Sequence, residues 1–367
     1  MVILKRFFTK LLFVGWLGLG HSVAHAEVSY QIEPVLSGLD TPWAVAPMPG
    51  GGVLVTLRGG ELIHFKAGQR SSVAAVPKVA ARGQGGLLDV TLARDFDVSR
   101  RLFLTYAKPQ GWRGSGTAVA VARLSADGTR LVGLKDLFVM KSGSSGGRHF
   151  GSRVVEAADG TLLLTIGDRG DKSSAQDLTR HNGSVIRINA DGTVPADNPF
   201  AGQSGILPEI WSYGHRNPQG AALDLEGNLW VAEHGARGGD EINLIRPGRN
   251  YGWPVISYGR HYSGAKIGEG TAKVGMEQPS YYWDPSIAPS GLMIYSGAKF
   301  PAWRGHLFVG SLKFDHIAVL AGSPLAEVAQ IKTAQTARLR DIVEGPDGAI
   351  WFLSVGQGSV YRIIPKD

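Results

Sequence analysis

A short unit recurs along this chain, a glycine-bearing turn followed by an apolar run, and its recurrence leaves few folds open. It starts as a hairpin, Val53 to Leu57 and Glu61 to Phe65, set between glycine-rich turns. It returns at Arg101 to Tyr106, Asp159 to Ile166, Glu226 to Ala232, Arg304 to Gly310 and Asp347 to Leu353, about six occurrences spaced roughly 43 to 78 residues apart. Several units have a second run a few residues later: Gly183 to Ile188, Asp240 to Ile245, His316 to Leu320 and Ser359 to Ile364. Short β-favouring runs punctuated by glycine are strands joined by tight turns. Intervals of this size suit four-stranded blades carrying unequal insertions, each burying its faces only against its neighbours. A sandwich would contain similar strands, but the repeated turn-strand unit favours an all-β, six-bladed β-propeller. The 51 glycines among 367 residues, with no collagen-like period, agree with many turns. Helical signals are sparse, the best being Ala175 to His181. No linker divides the chain, so a single domain is expected over residues 27–367.

Ahead of that domain, Lys5, Arg6 and Lys10 precede an apolar run from Leu11 to Gly20 and then Ala24-His25-Ala26. That is the layout of a cleavable secretory signal over residues 1–26, and the apolar run is too short for a lasting anchor. A periplasmic location is the corresponding expectation. Removing the segment lowers the formal charge from +7 to about +4. The remaining bases are scattered, which argues against nucleic acid as a partner. The chain has no cysteine, excluding disulfides, thiolate chemistry and cysteine-held metal centres.

Polar residues that could carry chemistry fall just after apolar strands, where propeller strands end at a channel mouth. His149 lies in a glycine-rich approach, and Asp168 follows one strand later. A histidine oriented by a carboxylate can act as a general base, although each could equally serve a turn. Arg216 and Asn217 precede Pro218, which favours extended backbone at Asn217. The loop Gly235-Ala236-Arg237-Gly238-Gly239-Asp240-Glu241 offers main-chain carbonyls and two carboxylates, the oxygen ligands that calcium prefers, though it lacks EF-hand spacing and could be a solvated turn. Alternation in Arg338-Leu339-Arg340 puts both guanidinium groups on one strand face. With Lys313 and Arg216 they could form a pocket for a multiply charged anion, or a solvated face.

Taken together these motifs resemble a known family. Tyr213-Gly214-His215-Arg216-Asn217-Pro218-Gln219-Gly220, Asp240-Glu241-Ile242-Asn243-Leu244-Ile245, Asn250-Tyr251-Gly252-Trp253-Pro254, Gly83-Gln84-Gly85-Gly86, Arg148-His149, Gly167-Asp168, Pro285-Ser286-Ile287-Ala288-Pro289-Ser290 and Ser311-Leu312-Lys313 resemble the soluble aldose sugar dehydrogenases of the glucose/sorbosone dehydrogenase family, from about Leu39 to Ile364. The resemblance implies a six-bladed propeller with pyrroloquinoline quinone (PQQ) and Ca2+ at the channel mouth. It implies oxidation of an aldose at C1 to the aldonolactone, with electrons passed to an external acceptor by a monomer or homodimer. His149 would be the base, Asp168 its orienting partner, and Gln84 and Arg216 would line the reaction site. Asn217, Lys313, Arg338 and Arg340 would hold the PQQ carboxylates. Gly235 and Ala236 would ligate one calcium through their carbonyls, and Glu241, Tyr251 and Asp240 would serve a second. Ala236 and Asp284 stand where the best-known glucose oxidisers of the family have proline and an aromatic residue, so glucose specificity does not carry over, and the short loops between blades imply an open site with broad aldose acceptance. A calcium-dependent propeller lactonase and a non-catalytic sugar-binding propeller are the alternatives.

Overall fold

In the computed structural model, which describes residues 28–366 apart from Ser142, every recurring unit is the second strand of a four-stranded antiparallel sheet, and there are six such sheets among the described residues. We number the blades I to VI by their innermost strands: Pro42–Pro47, Leu87–Leu92, Val154–Glu156, Pro218–Leu223, Pro289–Ile294 and Leu339–Glu344. Each inner strand packs on the next and the last on the first, so the sheets close into a six-bladed β-propeller.

The ring holds together because both faces of the middle strands are apolar. In blade III, Leu162 and Leu164 enter the cluster shared with blade II, while Leu163 enters the one shared with blade IV. Side chains alternate across a strand, so one strand serves two interfaces. Six inter-blade clusters repeat this arrangement around the circle. The continuous apolar run of a strand such as Val53–Leu57, buried along its whole length, follows from being covered on both faces.

Blade VI is completed from the other end of the chain. Tyr30–Leu36 pairs antiparallel with Ser359–Pro365, running from Tyr30↔Pro365 to Leu36↔Val360. On the propeller axis, Arg153 Nη1 lies 2.8 Å from Asp89 Oδ1 and 3.0 Å from Asp341 Oδ1. Asp89 also accepts the Val154 amide at 2.9 Å, and Asp341 the Val45 amide at 2.9 Å. Blades I, II, III and VI are thereby joined at the centre.

The helix expected over Ala175 to His181 is absent. A 3-10 turn, Lys172–Gln176, stands there instead. Asp177 Oδ1 then accepts from the Thr179 amide at 3.0 Å and its hydroxyl at 2.7 Å. Such local side-chain bonds compete with helix propagation. The expected signal segment lies outside the described residues. No helix among those described is long and apolar enough to cross a membrane.

Candidate active site

The antiparallel blades bring the starts of the inner strands and the ends of the second strands to one face. Gln84, Asn217, Arg338 and Arg340 come from the former, and Asp168, the Gly235 loop and Lys313 from the latter. His149 sits in the approach to the inner strand of blade III with a left-handed backbone, φ 53°. Its Nδ1 is 2.6 Å from Asp168 Oδ1. An ionised carboxylate can only accept, so Nδ1 carries a proton, and in the neutral ring that tautomer leaves Nε2 as the acceptor. The His149 amide donates to Gln84 Oε1 at 2.6 Å. Gly167 explains the close approach of the two segments, because a Cβ there would stand 2.2 Å from the His149 carbonyl oxygen.

Asp168 is almost fully buried, and three donors reach its carboxylate: His149, the Gly170 amide at 2.7 Å on Oδ1, and the Trp253 indole N–H at 2.9 Å on Oδ2. Burial alone would raise its pKa. The hydrogen bond and charge of His149, the Gly170 amide and the charge of Arg216 outweigh that and hold it below the ordinary carboxylate value. The Asp168 amide donates to the Arg216 carbonyl at 2.8 Å, tying the base to the next blade. Arg169 clamps the histidine loop from beneath, donating to the carbonyls of Arg148 and Gly146 with its guanidinium over the Phe150 ring.

Beside the dyad lies a cavity of about 380 Å³ lined by Gln84, Asn217, Arg338 and Arg340, with Trp43, Arg58, Gln219 and His234 among the other walls. Arg340 donates to Gln219 Oε1 at 2.6 Å and stacks 4.5 Å from the Trp43 ring, while its Nε is buried without a partner. Burial, with Arg153 and other arginines nearby, pulls its pKa down to about 9 against the attraction of Asp341. Arg216 does not line the cavity itself; it lies next to it, over Trp253 at 5.3 Å, and also has a buried, unpartnered Nε. Two orphaned guanidinium nitrogens and an uncompensated positive charge fit a polyanion. Lys313 does not line this cavity; it is exposed, with Nζ 4.8 Å from the Phe314 ring.

The acidic loop differs from expectation at Asp240. Its Oδ1 accepts from the Gly235 amide at 2.8 Å and the Ser286 hydroxyl at 2.7 Å, and its Oδ2 from the Ala288 amide at 2.8 Å. These bonds make Asp240 the internal brace of the loop rather than an open metal ligand. Glu241 is different: burial first, and the neighbouring Glu233 second, push its carboxyl up to about 8. Asn243 bridges the two, donating to Glu233 Oε1 at 2.9 Å and Glu241 Oε2 at 3.1 Å. Glu233 in turn accepts from the Arg216 amide at 2.9 Å and pairs with His215 at 3.0 Å. Crowded carboxylates of this kind fit a cation. The Tyr251 hydroxyl is taken up by the Leu244 carbonyl and the Arg246 amide, leaving its main chain for any such role. Among the described residues no three His, Cys, Asp or Glu side chains converge as a metal cluster, so main-chain oxygens at Gly235 and Ala236 would have to contribute.

Sequence reading missed Trp43, Arg58, Glu233, His234 and Trp253. Gln219 and Trp253 stood inside quoted motifs without a role. Arg58 directly follows Val53–Leu57, so the strand-end rule applied elsewhere would have found it.

A propeller with a histidine-carboxylate pair beside a cationic cavity at one mouth is the architecture of a propeller oxidoreductase. The chain belongs to the glucose/sorbosone dehydrogenase family, whose model matches residues 39–362. It is 42% identical over 351 residues to the aldose sugar dehydrogenase YliI of Escherichia coli K12, covering 93% of this chain and 95% of that protein. The crystal structure of the soluble aldose sugar dehydrogenase from Escherichia coli in its apo-form superposes with a TM-score of 0.88 at 43% identity, over 92% of this chain and 100% of that one. The quinoprotein glucose dehydrogenase B of Acinetobacter calcoaceticus is 28% identical over 217 residues, 44% of this chain and 45% of that protein.

Proposed function

We propose that this chain is a periplasmic, PQQ- and calcium-dependent dehydrogenase that oxidises aldoses at C1 to aldonolactones and passes the electrons to an external acceptor. The observation that carries the reading is the His149–Asp168 pair, 2.6 Å apart, beside a cavity lined by Arg58, Arg338 and Arg340, the last with a buried, unpartnered Nε. Kinship with an aldose sugar dehydrogenase and a quinoprotein supports the substrate and cofactor classes.

PQQ, when bound, supplies a quinone that takes up the two electrons and the hydrogen lost from the sugar. Arg338, Arg340 and Asn217 would hold its carboxylates. Lys313, exposed at the same mouth, would reach in only by swinging from Phe314. Glu241 and the carbonyls of Gly235 and Ala236 would hold calcium, with Tyr251 contributing through its main chain. His149 Nε2 accepts the proton of the anomeric hydroxyl. Asp168 fixes the tautomer and balances the charge that His149 acquires. Arg216, anchored through Glu233 and Trp253, orients the oxygens at the reaction centre, and Gln84 fixes the histidine loop through the His149 amide.

The test is reconstitution. Purified apoprotein given PQQ and calcium is expected to reduce an artificial dye with several aldoses and with neither component alone. Absence of PQQ-dependent turnover with every aldose tried would remove the proposal.

A further inference from the structure

Every blade brings a base to the mouth where the cavity opens. Blades I, IV and V supply Arg58, Arg237 and Lys313 in the turns after their second strands, and blades II, III and VI supply Arg82, Arg148 and Arg338 in the approaches to their inner strands. Arg58 is half-buried and the other five are exposed. A seventh base, the exposed Arg260, is held beside Arg237 by main-chain hydrogen bonds of 2.9 Å in both directions. Among the described residues none of the seven side chains is in an ion pair; Arg58 donates to the Gly83 carbonyl at 2.6 Å, and Lys313 lies over Phe314. The described acids of this face are partly spent. Asp171 and Asp177 pair with Arg180, and Asp315 accepts the Arg338 amide at 2.7 Å, while Asp40, Glu61 and Asp284 are exposed.

The opposite end of the ring has another character. Its turns between inner and second strands carry Asp159, Glu226 and Asp347 in blades III, IV and VI, all exposed, against Lys299 and Arg304 in blade V. The positive charge is therefore gathered at the end that does the chemistry.

Neither the cofactor nor the sugar accounts for all of it. Arg82, Arg148, Arg237 and Arg260 do not line the cavity, so they are surplus to holding an anion there. An aldose is neutral and gains nothing from a positive field. A small anion would touch two or three of these bases, whereas they stand on loops of all six blades. A broad positive rim without its own counter-charges steers and orients a large partner with an acidic face. An anionic membrane would also be attracted, but lying flat on the mouth it would shut out the sugar.

We propose that this rim is the docking face for an acidic redox protein that carries one electron at haem or copper and serves as the external acceptor. The proposal rests on the aldose dehydrogenase reading and names its partner by charge. An aldose gives up two electrons and two protons on becoming the lactone. Two molecules of the oxidised partner take one electron each, and the protons pass to solvent.

The probe is cytochrome c in two forms, native and basic, or fully succinylated, which turns its lysines into carboxylates around the same haem. In the first arm, the protein without PQQ is titrated with each form by calorimetry. The succinylated form is expected to bind at low ionic strength and to be released by added salt, and the native form not to bind. In the second, PQQ- and calcium-loaded enzyme is given glucose, and haem reduction is followed by absorbance. Arg82→Glu combined with Arg260→Glu should lower kcat/KM for the succinylated form about tenfold and leave an uncharged dye unaffected. Arg82→Lys with Arg260→Lys should keep the wild-type values. Equal binding of the two forms, no binding of either, or a charge-reversed variant as fast as wild type overturns the docking face. Capture of the enzyme by phosphatidylglycerol vesicles in place of the succinylated protein would assign the rim to a membrane and overturn it too. If no aldose reduces even the dye, the dehydrogenase reading fails, and the first arm alone still decides the docking face.

Discussion

His149 and Trp253 divide the work of the base between a group that moves a proton and a group that holds its partner still. Replacing His149 with Ala removes the acceptor but none of the arginines of the cavity. PQQ uptake followed by absorbance should persist while turnover falls by a factor of about 10³; full activity would refute the assignment. Trp253→Phe keeps a ring beneath Arg216 and deletes only the N–H on Asp168 Oδ2. Asp168, with one donor fewer, holds a proton on His149 more strongly, so the acid limb of the rate profile should move to higher pH. We expect kcat to fall about tenfold, the worth of one hydrogen bond to a charged group, with KM little changed. An unmoved acid limb would reduce Trp253 to packing. The dyad itself was legible in the sequence, because Arg148-His149 and Gly167-Asp168 are short motifs at strand ends. Trp253 was not, since its contact spans 85 residues and depends on where a loop of blade IV folds back.

At the scale of elements, the second strands were the legible part. All six lie where the glycine-turn units placed them, because a strand buried on both faces must be apolar throughout and its turns need glycine. Position 338 shows where that logic stops. Alternation would put Arg338 and Arg340 on one strand face, yet the strand begins at Leu339, its register shifts between Leu339 and Asp341, and Arg338 has φ 46°. Both arginines still reach one cavity, through a bend rather than through the pleat. Sequence periodicity has no signal for a bulge of this kind. The closing strand yields a test of its own. A chain starting at Ser37 would lack Tyr30–Leu36, uncovering the edge of Ser359–Pro365 and the packing of Leu36 and Ile32. Its urea midpoint should fall, corresponding to on the order of 3 kcal/mol or more, with a rise in light scattering from edge pairing. An unchanged midpoint in a monodisperse sample would mean that the ring does not depend on this closure.

For the whole molecule the axial ion cluster matters most, since it lies where the blades converge. Burial pushes the Asp89 carboxyl up to about 6, with Arg153 drawing it down and Asp341 raising it further. In the unfolded chain an aspartate ionises near 3.9. Between these values the folded protein binds the extra proton, so this group's contribution to stability falls as pH rises from about 4 to about 6 and stays low above that. Asp89→Asn keeps the shape without the titration. Its stability relative to wild type, from urea unfolding at a series of pH values, should therefore rise by on the order of 2 kcal/mol across that window. A difference flat with pH would show that Arg153 fully compensates Asp89. None of this was visible in the sequence, where Asp89, Arg153 and Asp341 are isolated charges in three distant segments.

The pairing of Tyr30–Leu36 with Ser359–Pro365 also sets an order of events. A chain delivered N-terminus first presents one half of its latch at the outset and the other half at the end. Until residues 359–365 arrive, blade VI lacks its two outer strands. Completing blade VI is thus the pairing with the longest loop to gather, joining segments more than three hundred residues apart.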